Sequence, residues 1–434
     1  MRPHGINLTP VVGRPFVDPM ARSKVVLAYS GGLDTSVAIP WLREEKGLEV
    51  VTVTADVGQP VDLEKVRAKA LASGASSAYV ADAREEFAAE FLQPAIQANA
   101  LYEGVYPLST ALARPLIARR LVEVARREGA TAVAHGCTGK GNDQVRFELS
   151  TQSLAPELEV IAPAREWTMN RDAEIAYAAA HGIPVEATKR SPYSTDENLW
   201  GRSVECGVLE DPAIEPPEEV YAWTRSPMEA PDAPAYVELE FDAGVPVSLD
   251  GTRLPLHALV ARLNEVAGAH GVGRIDHLES RVVGIKSREV YECPAATVLL
   301  DAHRALEALV LPRDLLAFKR TAEQRYAELV YDGLWFAPLR TSLEAFVTAT
   351  QERVSGAVSV KLSKGRSTVV GRSSGASLYR AGLATYAEGD RFRREMAEGF
   401  IYVWGLPSRT WASVAEPTAS VAAPPVAAPP VRTT

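Results

Sequence analysis

The length, composition and charge of this chain exclude several classes of protein before any motif is considered. Its 434 residues predict two or three domains, and 47% hydrophobic with 23% charged residues is typical of globular proteins. The formal net charge of −9 does not favour DNA, RNA or an anionic membrane as the main partner. The cysteines are odd in number and far apart, which argues against a disulfide framework or a structural zinc site: Cys137, Cys206 and Cys293.

The N-terminal segment and the hydropathy of the chain bear on its location. Residues 1–22 contain several prolines and no apolar run of the kind found in a secretory signal, so we expect a loose extension. No run of the sequence approaches the ~20 apolar residues that span a bilayer. The sequence therefore predicts a cytoplasmic protein without a membrane-spanning helix.

Residues 23–185 alternate between strand and helix patterns. Strands are predicted at KVVLAY, LEVVTVTAD, SSAYVAD, TAVAHG and LEVIAP, and helices at TSVAIPWLREEKG, DLEKVRAKALASG, residues 85–100, residues 111–128 and RDAEIAYAAAHG. Such alternation implies βαβ units, so we predict an α/β domain with a doubly wound parallel sheet. Ligands in such folds bind beyond the carboxyl ends of the strands, where three candidate segments fall: AYSGGLDTS, ADVGQ and AHGCTGKGND.

Residues 186–385 have the mixed pattern of an α+β domain. An Asp-Gly turn is predicted within YVELEFDAGVPVSLDGTRLPL, a helix at HALVARLNEVAGAHG, mixed strand and charge at RIDHLESRVVGIKSREVYE, helices over 313–331 and 342–354, and a hairpin at AVSVKLSKGRSTVVGRS. Residues 386–412 carry the aromatic and aliphatic run GFIYVWGLPSR, and residues 413–434 are rich in Ala and Pro and predicted to be disordered.

The segment AYSGGLDTS (Ala28–Ser36, here the phosphate loop) has the composition of a phosphate cradle. Gly31 and Gly32 allow close approach of a ligand, and the N–H groups that open the next helix favour an anion. Hydroxyl donors are predicted at Ser30, Thr35 and Ser36. The loop has neither the lysine of a Walker A motif nor a GxGxxG pattern, and Asp34 beside phosphates requires a cation, so we expect Mg²⁺ with the nucleotide. The alternative is a glycine turn with Thr35 and Ser36 in helix-capping roles, which accounts for one hydroxyl but not for the others.

The segment Gly136–Asn142 (here the glycine-lysine loop) and the helix that follows it have the composition of an amino-acid site. Cationic, hydroxyl and amide donors suit a carboxylate, and an acid suits an ammonium group; the side chains concerned are Thr138, Lys140, Asn142, Asp143 and Arg146. The alternative is a tight turn capped by Asn142 or Asp143. Cys137 has no second cysteine nearby and only His135 as a neighbour, which favours a space-filling residue over a nucleophile.

These segments carry a resemblance to known enzymes. SGGLDTS after a first strand resembles the pyrophosphate-binding loop of the N-type ATP pyrophosphatases, which split ATP between its α and β phosphates and adenylylate an acceptor oxygen. Within that superfamily the chain resembles the argininosuccinate synthase family from residue 23 to residue 405, through AYSGGLDTS, YPLSTALARP, AHGCTGKGNDQVRFE, SPYSTDENLWGRS, NEVAGAHGVGRID and GIKSREVYE. The resemblance implies an ATP-dependent ligation of citrulline and aspartate to argininosuccinate through a citrullyl-adenylate, with release of AMP and pyrophosphate.

The resemblance also assigns residues to each substrate. It places ATP at Ala28, Tyr29, Ser30, Gly31, Gly32, Leu33, Asp34, Thr35, Ser36, Ala55 and Gly136. It places aspartate at Thr138, Asn142 and Asp143, and citrulline at Tyr106, Asn142, Arg146, Ser194, Ser203, Glu279 and Tyr291. We expect catalytic roles for Asp34, Asp143 and Arg146, with Asp143 as a candidate general base. Ala111 departs from the family, which often has serine there, so we expect Thr110 or Ser109 to supply the missing donor.

Assembly and two alternative functions complete the predictions. The family forms homotetramers with a C-terminal arm, a role that the resemblance implies for residues 386–412. One alternative function is a tRNA-modifying ATP pyrophosphatase, against which the acidic net charge argues. The other is a nucleotide-binding protein without catalysis. The basic hairpin at residues 361–366 has no interleaved aromatics, which argues against a nucleic-acid groove.

Overall fold

The computed structural model describes residues 23–184 and 192–414, so the expectations for residues 1–22 and for most of the Ala/Pro-rich tail lie outside the described residues. The first part of the chain forms these elements in order: β1 Lys24–Ala28, α1 Leu33–Glu45, β2 Glu49–Asp56, α2 Leu63–Ala72, β3 Ser77–Asp82, α3 Arg84–Glu86, α4 Gln93–Gln97, α5 Ser109–Glu128, β4 Ala132–Ala134, α6 Asp143–Leu154, β5 Glu159–Ile161, α7 Pro163–Glu166 and α8 Arg171–Ala180.

The strands of this part form one parallel sheet in the order β3-β2-β1-β4-β5. Successive residues of β1 face opposite sides of the sheet, as the two-residue period of a strand requires. Leu27 packs with Ile39 and Leu42 of α1, whereas Val26 packs on the other side with Leu121 of α5. Helices therefore cover both faces, which confirms the predicted doubly wound α/β fold.

The strand order fixes where a ligand site can lie. The central strand β1 pairs with β2 on one side and with β4 on the other, so the order of the chain reverses between β1 and β4. The phosphate loop follows β1 and the glycine-lysine loop follows β4, and both leave the same edge of the sheet. A crevice at such a switch point is the usual ligand site of this fold.

The helix predicted over residues 85–100 is confirmed only in part. A π-helical turn, Phe87–Leu92, lies between α3 and α4. Pro94 has no N–H group, so it cannot donate the backbone hydrogen bond of a regular α-helix. The π-helical turn, which is wider than an α-helical turn, ends just before this proline.

The second part of the chain forms two antiparallel sheets and four longer helices. Its elements in order are β6 Ser194–Asn198, β7 Gly201–Glu205, β8 Ala235–Asp242, β9 Val245–Leu249, β10 Thr252–Arg253, α9 Leu256–Ala269, β11 Arg274–Ser280, β12 Lys286–Glu292, α10 Pro294–Val310, α11 Arg313–Tyr331, α12 Pro338–Thr350, β13 Gly356–Ser363 and β14 Arg366–Ser373. The sheet orders are β10-β9-β8-β13-β14 and β11-β12-β7-β6. Short 3₁₀ turns occupy Gly207–Glu210 and Glu218–Val220.

Most elements of this part agree with the prediction. The Asp-Gly turn is confirmed between β9 and β10, where Asp250 and Gly251 both have positive φ, 51° and 73°. Helix α11 has its predicted bounds, whereas α12 begins at Pro338 rather than at residue 342. Helix α10 was not predicted, although its buried residues recur at spacings of three and four: Ala295, Val298, Leu299, Ala302, Leu306 and Val310.

One apolar core joins the two parts. Phe87 and Leu112 from the first part pack in the same cluster as Trp200, Tyr291 and Leu299 from the second. This shared core holds the carboxyl edge of the parallel sheet close to the sheet β11-β12-β7-β6.

Residues 379–414 form a separate compact unit. It contains α13 Ala381–Ala384, α14 Glu395–Trp404 and α15 Leu406–Val414, so helix extends past the predicted boundary at residue 412. Its described helices bury no side chain, and the rings of Phe400 and Trp404 stack on each other at 5.5 Å. Among the helices of the described ranges, none combines the length and the apolar character needed to cross a membrane.

Candidate active site

A cavity of about 1410 Å³ lies where the parallel sheet meets the sheet β11-β12-β7-β6. Most of the predicted site residues line it: Ala28, Tyr29, Ser30, Gly32, Leu33, Asp34, Thr35, Ala55, Tyr106, Gly136, Thr138, Asn142, Asp143, Arg146, Ser194, Ser203, Glu279 and Tyr291. Gly31 and Ser36 do not line the cavity. Segments separated by more than two hundred residues in sequence thus surround one space.

The phosphate loop is held by its own hydroxyl groups. Ser30 Oγ and Thr35 Oγ1 lie 3.2 Å apart beside the cavity, and Gly31 has a positive φ, 80°. Ser36 is fully buried, and its Oγ donates to the Gly32 carbonyl at 2.7 Å. The Ser36 side chain therefore stabilises the loop, which argues against its predicted role as a hydroxyl donor to phosphate. A lysine outside the loop, Lys69 of α2, donates to the Gly31 carbonyl at 2.7 Å.

Asp34 has a second carboxylate beside it. Glu174, in the first turn of α8, is 9% exposed. Burial, together with the neighbouring Asp34 carboxylate, raises the pKa of Glu174 to about 7. The phosphate loop thus contains one carboxylate, Asp34, that lies beside the buried carboxyl group of Glu174.

Gly136 is a glycine because the phosphate loop passes next to it. A Cβ at this position would lie 2.9 Å from Cγ2 of Thr35, closer than side chains tolerate. At the end of β2, Ala55 lines the cavity, and its carbonyl accepts from Gln59 Nε2 at 2.8 Å. Gly58 has φ 94° and lies against Leu199, so it forms a turn at the end of this strand. The same segment therefore contains both the turn and Ala55, which faces the cavity.

The glycine-lysine loop leads into α6, where Asp143 is held by two arginines. Arg114 Nε donates to Asp143 Oδ2 at 2.9 Å, and Arg146 Nη1 donates to Oδ1 at 2.9 Å. Burial opposes ionisation of this carboxyl, but the two guanidinium groups outweigh it and lower the pKa of Asp143. Arg146 Nη2 is buried and has no partner, so it is a donor left for a ligand. Burial raises the pKa of the Cys137 thiol, which agrees with a space-filling role.

The opposite end of the cavity is built from tyrosines around one carboxylate. The rings of Tyr106 and Tyr291 stack at 4.1 Å, with 15° between their planes. Tyr291 donates its hydroxyl to Glu279 Oε2 at 2.6 Å, and Tyr331 donates to Oε1 at 2.7 Å. Glu279 is only 3% exposed, yet it borders the cavity. A buried carboxylate with oriented oxygens suits the ammonium group of an amino acid.

Two family models match this chain. One, described as "Arginosuccinate synthase N-terminal HUP domain", matches residues 24–184, and the other, "Arginosuccinate synthase C-terminal domain", matches residues 193–411. The chain belongs to the argininosuccinate synthase family. Among its relatives, the argininosuccinate synthase of Gloeobacter violaceus is 62% identical over 91% of this chain and 100% of its own length. Those of Rubrobacter xylanophilus and Bacillus licheniformis are 60% and 59% identical, over 90% and 89% of this chain and 95% and 96% of their own lengths.

Membership of the argininosuccinate synthase family confirms the predicted enzyme class, a ligase of arginine biosynthesis. It also argues against the tRNA-modifying alternative, because that activity belongs to other ATP pyrophosphatases.

Ala111, where this member of the argininosuccinate synthase family departs from the family pattern, and its neighbours differ in their position relative to the cavity. Ala111 is buried and does not border the cavity, whereas Thr110 does. Ser109 directs its Oγ at the hydroxyl of Tyr106, 3.4 Å away, and does not border the cavity. Of the two donors proposed from the sequence, the structure favours Thr110.

Several polar residues around the cavity of this argininosuccinate synthase family member were not predicted. Arg281 donates to Glu205, to Glu289 and, at 3.2 Å, to the carbonyl of Lys140. Burial and the neighbouring carboxylates of Glu205 and Glu279 raise the pKa of Glu289 to about 9. The other unpredicted residues are Arg114, Asp196 and Tyr331, and their contacts join distant segments, which no local motif could reveal.

Proposed function

We propose that this protein ligates L-citrulline and L-aspartate to argininosuccinate at the expense of ATP, releasing AMP and pyrophosphate. One observation carries the proposal: the phosphate loop, the glycine-lysine loop and the buried carboxylate of Glu279 all border a single cavity. A site of this kind can hold a nucleotide and two amino acids at once, which a ligation through an adenylate requires.

The first step requires that a weak nucleophile be held against the α-phosphorus. The ureido oxygen of citrulline attacks that phosphorus, and the bond to the β-phosphate oxygen breaks, giving citrullyl-adenylate and pyrophosphate. We assign the β and γ phosphates to the phosphate loop, where the N–H groups at the start of α1 and the hydroxyls of Ser30 and Thr35 provide donors. We assign the ammonium group of citrulline to Glu279 and its neighbours.

We expect Mg²⁺ to bind at this site together with ATP. Within residues 23–184 and 192–414, no group of three or more His, Cys, Asp or Glu side chains is placed to hold a metal ion by itself. Asp34 borders the cavity and provides one carboxylate, so most ligands would be phosphate oxygens and water. Bound in this way, the ion would neutralise charge on the departing pyrophosphate.

In the second step the α-amine of aspartate attacks the activated carbon, and AMP leaves with its bonding electrons. We assign the carboxylates of aspartate to Thr138 and Asn142 and its amine to the neighbourhood of Asp143. The lowered pKa of Asp143 makes it a weak proton acceptor, which argues against the general-base role that the sequence suggested. We therefore assign Asp143 to orientation of the amine and Arg146 to a ligand oxygen through its unpartnered Nη2.

Assembly, domain limits and location belong to the same proposal. We propose a cytoplasmic homotetramer in which residues 386–412 form the oligomerisation arm, because aromatic side chains of this segment are exposed, such as Phe400, Tyr402, Trp404 and Trp411. We retain residues 23–185 as the nucleotide-binding domain and residues 186–385 as the synthetase domain.

The test is an assay of pyrophosphate release with ATP and Mg²⁺, in which citrulline and aspartate are omitted in turn. We expect release to require citrulline, and argininosuccinate to form only when aspartate is added. Citrulline labelled with ¹⁸O in its ureido group should transfer the label to AMP. Formation of ADP and orthophosphate would contradict the proposal, and ATP binding without any pyrophosphate would indicate the non-catalytic alternative.

A further inference from the structure

A buried tyrosine behind the cavity wall contacts residues assigned to both amino-acid substrates. Tyr331 ends α11 and is fully buried. Its hydroxyl donates to Glu279 Oε1 at 2.7 Å and accepts from Asn142 Nδ2 at 2.7 Å. Its backbone carbonyl accepts from Arg146 Nε at 3.0 Å. The family resemblance assigns substrate roles to Asn142, Arg146 and Glu279 but none to Tyr331.

The hydrogen bonds of this hydroxyl fix the direction of its neighbours. A carboxylate oxygen of Glu279 only accepts, so the Tyr331 proton points at Glu279 and the lone pairs of the hydroxyl face Asn142. The amide nitrogen of Asn142 must then face Tyr331, and its Oδ1 accepts the backbone N–H of Val282 at 2.9 Å. The hydrogen bond from Tyr331 to Glu279 therefore fixes the direction of the bond from Asn142 to Tyr331. As a result the Asn142 amide has a single orientation, and the lone pairs of Glu279 that remain free for a ligand are also fixed.

The position of Tyr331 is itself fixed by packing. Its ring stacks on Tyr102 with 3.5 Å between centroids and 2° between planes. Tyr102 in turn donates its hydroxyl to the carbonyl of Ser280 at 2.7 Å, next to Glu279. Gly333, just beyond α11, lies so close to α6 that a Cβ there would be 2.9 Å from Cα of Arg146. The close approach of α11 to α6 is therefore built into the backbone.

We propose that Tyr331 is a positioning residue that couples the citrulline and aspartate ends of the cavity through its hydroxyl. The inference rests on the proposed function and extends it to a residue that does not border the cavity. Removal of the hydroxyl leaves an oxygen of Glu279 and an N–H of Asn142 without their buried partner, so both ends lose their orientation together. The nucleotide end is bordered by other residues and should not respond.

The variant Tyr331→Phe tests this coupling, because it keeps the stacked ring and removes only the hydroxyl. Steady-state formation of argininosuccinate is measured while each substrate is varied at saturating levels of the other two. We expect the KM values for citrulline and aspartate each to rise by about tenfold, and the KM for ATP to stay within about twofold. A purely structural role would instead lower the melting temperature and the active fraction, and would leave all three KM values unchanged.

The matched control is Tyr326→Phe, since Tyr326 is fully buried in the same helix but its hydroxyl makes no hydrogen bond to Glu279 or Asn142. This variant should keep all three KM values. An inactive wild-type protein would count against the proposed function itself. An active wild type with unchanged KM values in Tyr331→Phe, or with a rise for citrulline alone, would overturn the coupling.

A second variant keeps the inference testable if Tyr331→Phe does not fold. Glu279→Ala removes the acceptor of the Tyr331 proton at the citrulline end. We expect the KM for aspartate, measured at saturating citrulline, to rise by about threefold, because Tyr331 then loses its fixed orientation towards Asn142. An unchanged KM for aspartate in this variant would overturn the coupling as well.

Discussion

The Nε of Arg114 lies 2.9 Å from Oδ2 of Asp143, so a guanidinium group from α5 holds the carboxylate that opens α6. The same side chain reaches Asp196 on β6, where Nη2 lies 2.6 Å from Oδ2. One cation therefore serves two acids that come from different parts of the fold. The contact with Asp196 also joins the part of the chain that contains the parallel sheet to the sheet β11-β12-β7-β6. Arg114 therefore links the two sides of the site.

The variant Arg114→Met should reduce both stability and aspartate binding. Methionine keeps a similar length but leaves Asp143 and Asp196 as neighbouring acids without their shared cation. The side chains of Asp143 and Asp196 are 25% and 36% exposed, so the free energy of unfolding should fall by less than for a fully buried ion pair, on the order of 1–3 kcal/mol. We expect the KM for aspartate to rise at least tenfold, measured by steady-state formation of argininosuccinate. The control Arg67→Met removes an exposed arginine and should change neither quantity; a similar loss in both variants would contradict the assignment.

The pH dependence of turnover should reveal whether Asp143 accepts a proton. Its pKa lies below the ordinary value because Arg114 and Arg146 outweigh the effect of burial. The carboxylate therefore stays ionised throughout the range above about pH 4, and no loss of kcat in that range should come from its protonation. Asp143→Asn should raise the KM for aspartate without shifting the acid limb of the kcat profile. A wild-type acid limb near pH 6 that disappears in Asp143→Asn would show that Asp143 is the base after all.

Gly136→Ala should weaken ATP binding through the phosphate loop. The added Cβ would lie 2.9 Å from Cγ2 of Thr35, so the Thr35 side chain must turn away from its position beside the cavity or the end of β4 must shift. We expect the KM for ATP to rise about tenfold, with a smaller change for the amino acids. Gly139→Ala is the matched control in the same loop, because its nearest neighbour, Arg165, is 3.8 Å away. Equal effects of the two substitutions would show that the whole loop, and not this contact, controls nucleotide binding.

The parts of the site that the sequence predicted are those determined locally. A strand, two glycines and a helix specify the phosphate loop within nine residues, and the structure places Ser30, Asp34 and Thr35 at the cavity as expected. Local pattern does not reveal which hydroxyls turn inwards. Ser36 follows Thr35 in the helix, and successive side chains of a helix point in different directions. The Ser36 side chain therefore points to the Gly32 carbonyl.

The parts that the sequence did not predict depend on contacts between distant segments. Tyr331 reaches Asn142 across 189 residues and Glu279 across 52 residues, and only the packing of α11 on α6 brings them together. Helix α10 is a different case, because its three- and four-residue apolar spacing was present in the sequence. The family resemblance supplied roles for Glu279 and Tyr291 that spacing alone could not have given.

The pair formed by Asp34 and Glu174 should make folding stability depend on pH. Burial and the Asp34 carboxylate raise the pKa of Glu174 from 4.5 to about 7, so the folded protein binds a proton that the unfolded chain releases. That proton contributes stability fully below about pH 4.5, and the contribution is lost as the pH rises through about 7, with a slope of at most about 1.4 kcal/mol per pH unit.

Glu174→Gln is neutral at every pH and escapes this loss. Its melting temperature relative to wild type should therefore rise between pH 5 and pH 7 and level off above about pH 8. Glu45→Gln, an exposed change at the end of α1, controls for the loss of one negative charge. A constant difference between Glu174→Gln and wild type across this range would show that the pKa of Glu174 is not raised in the folded protein.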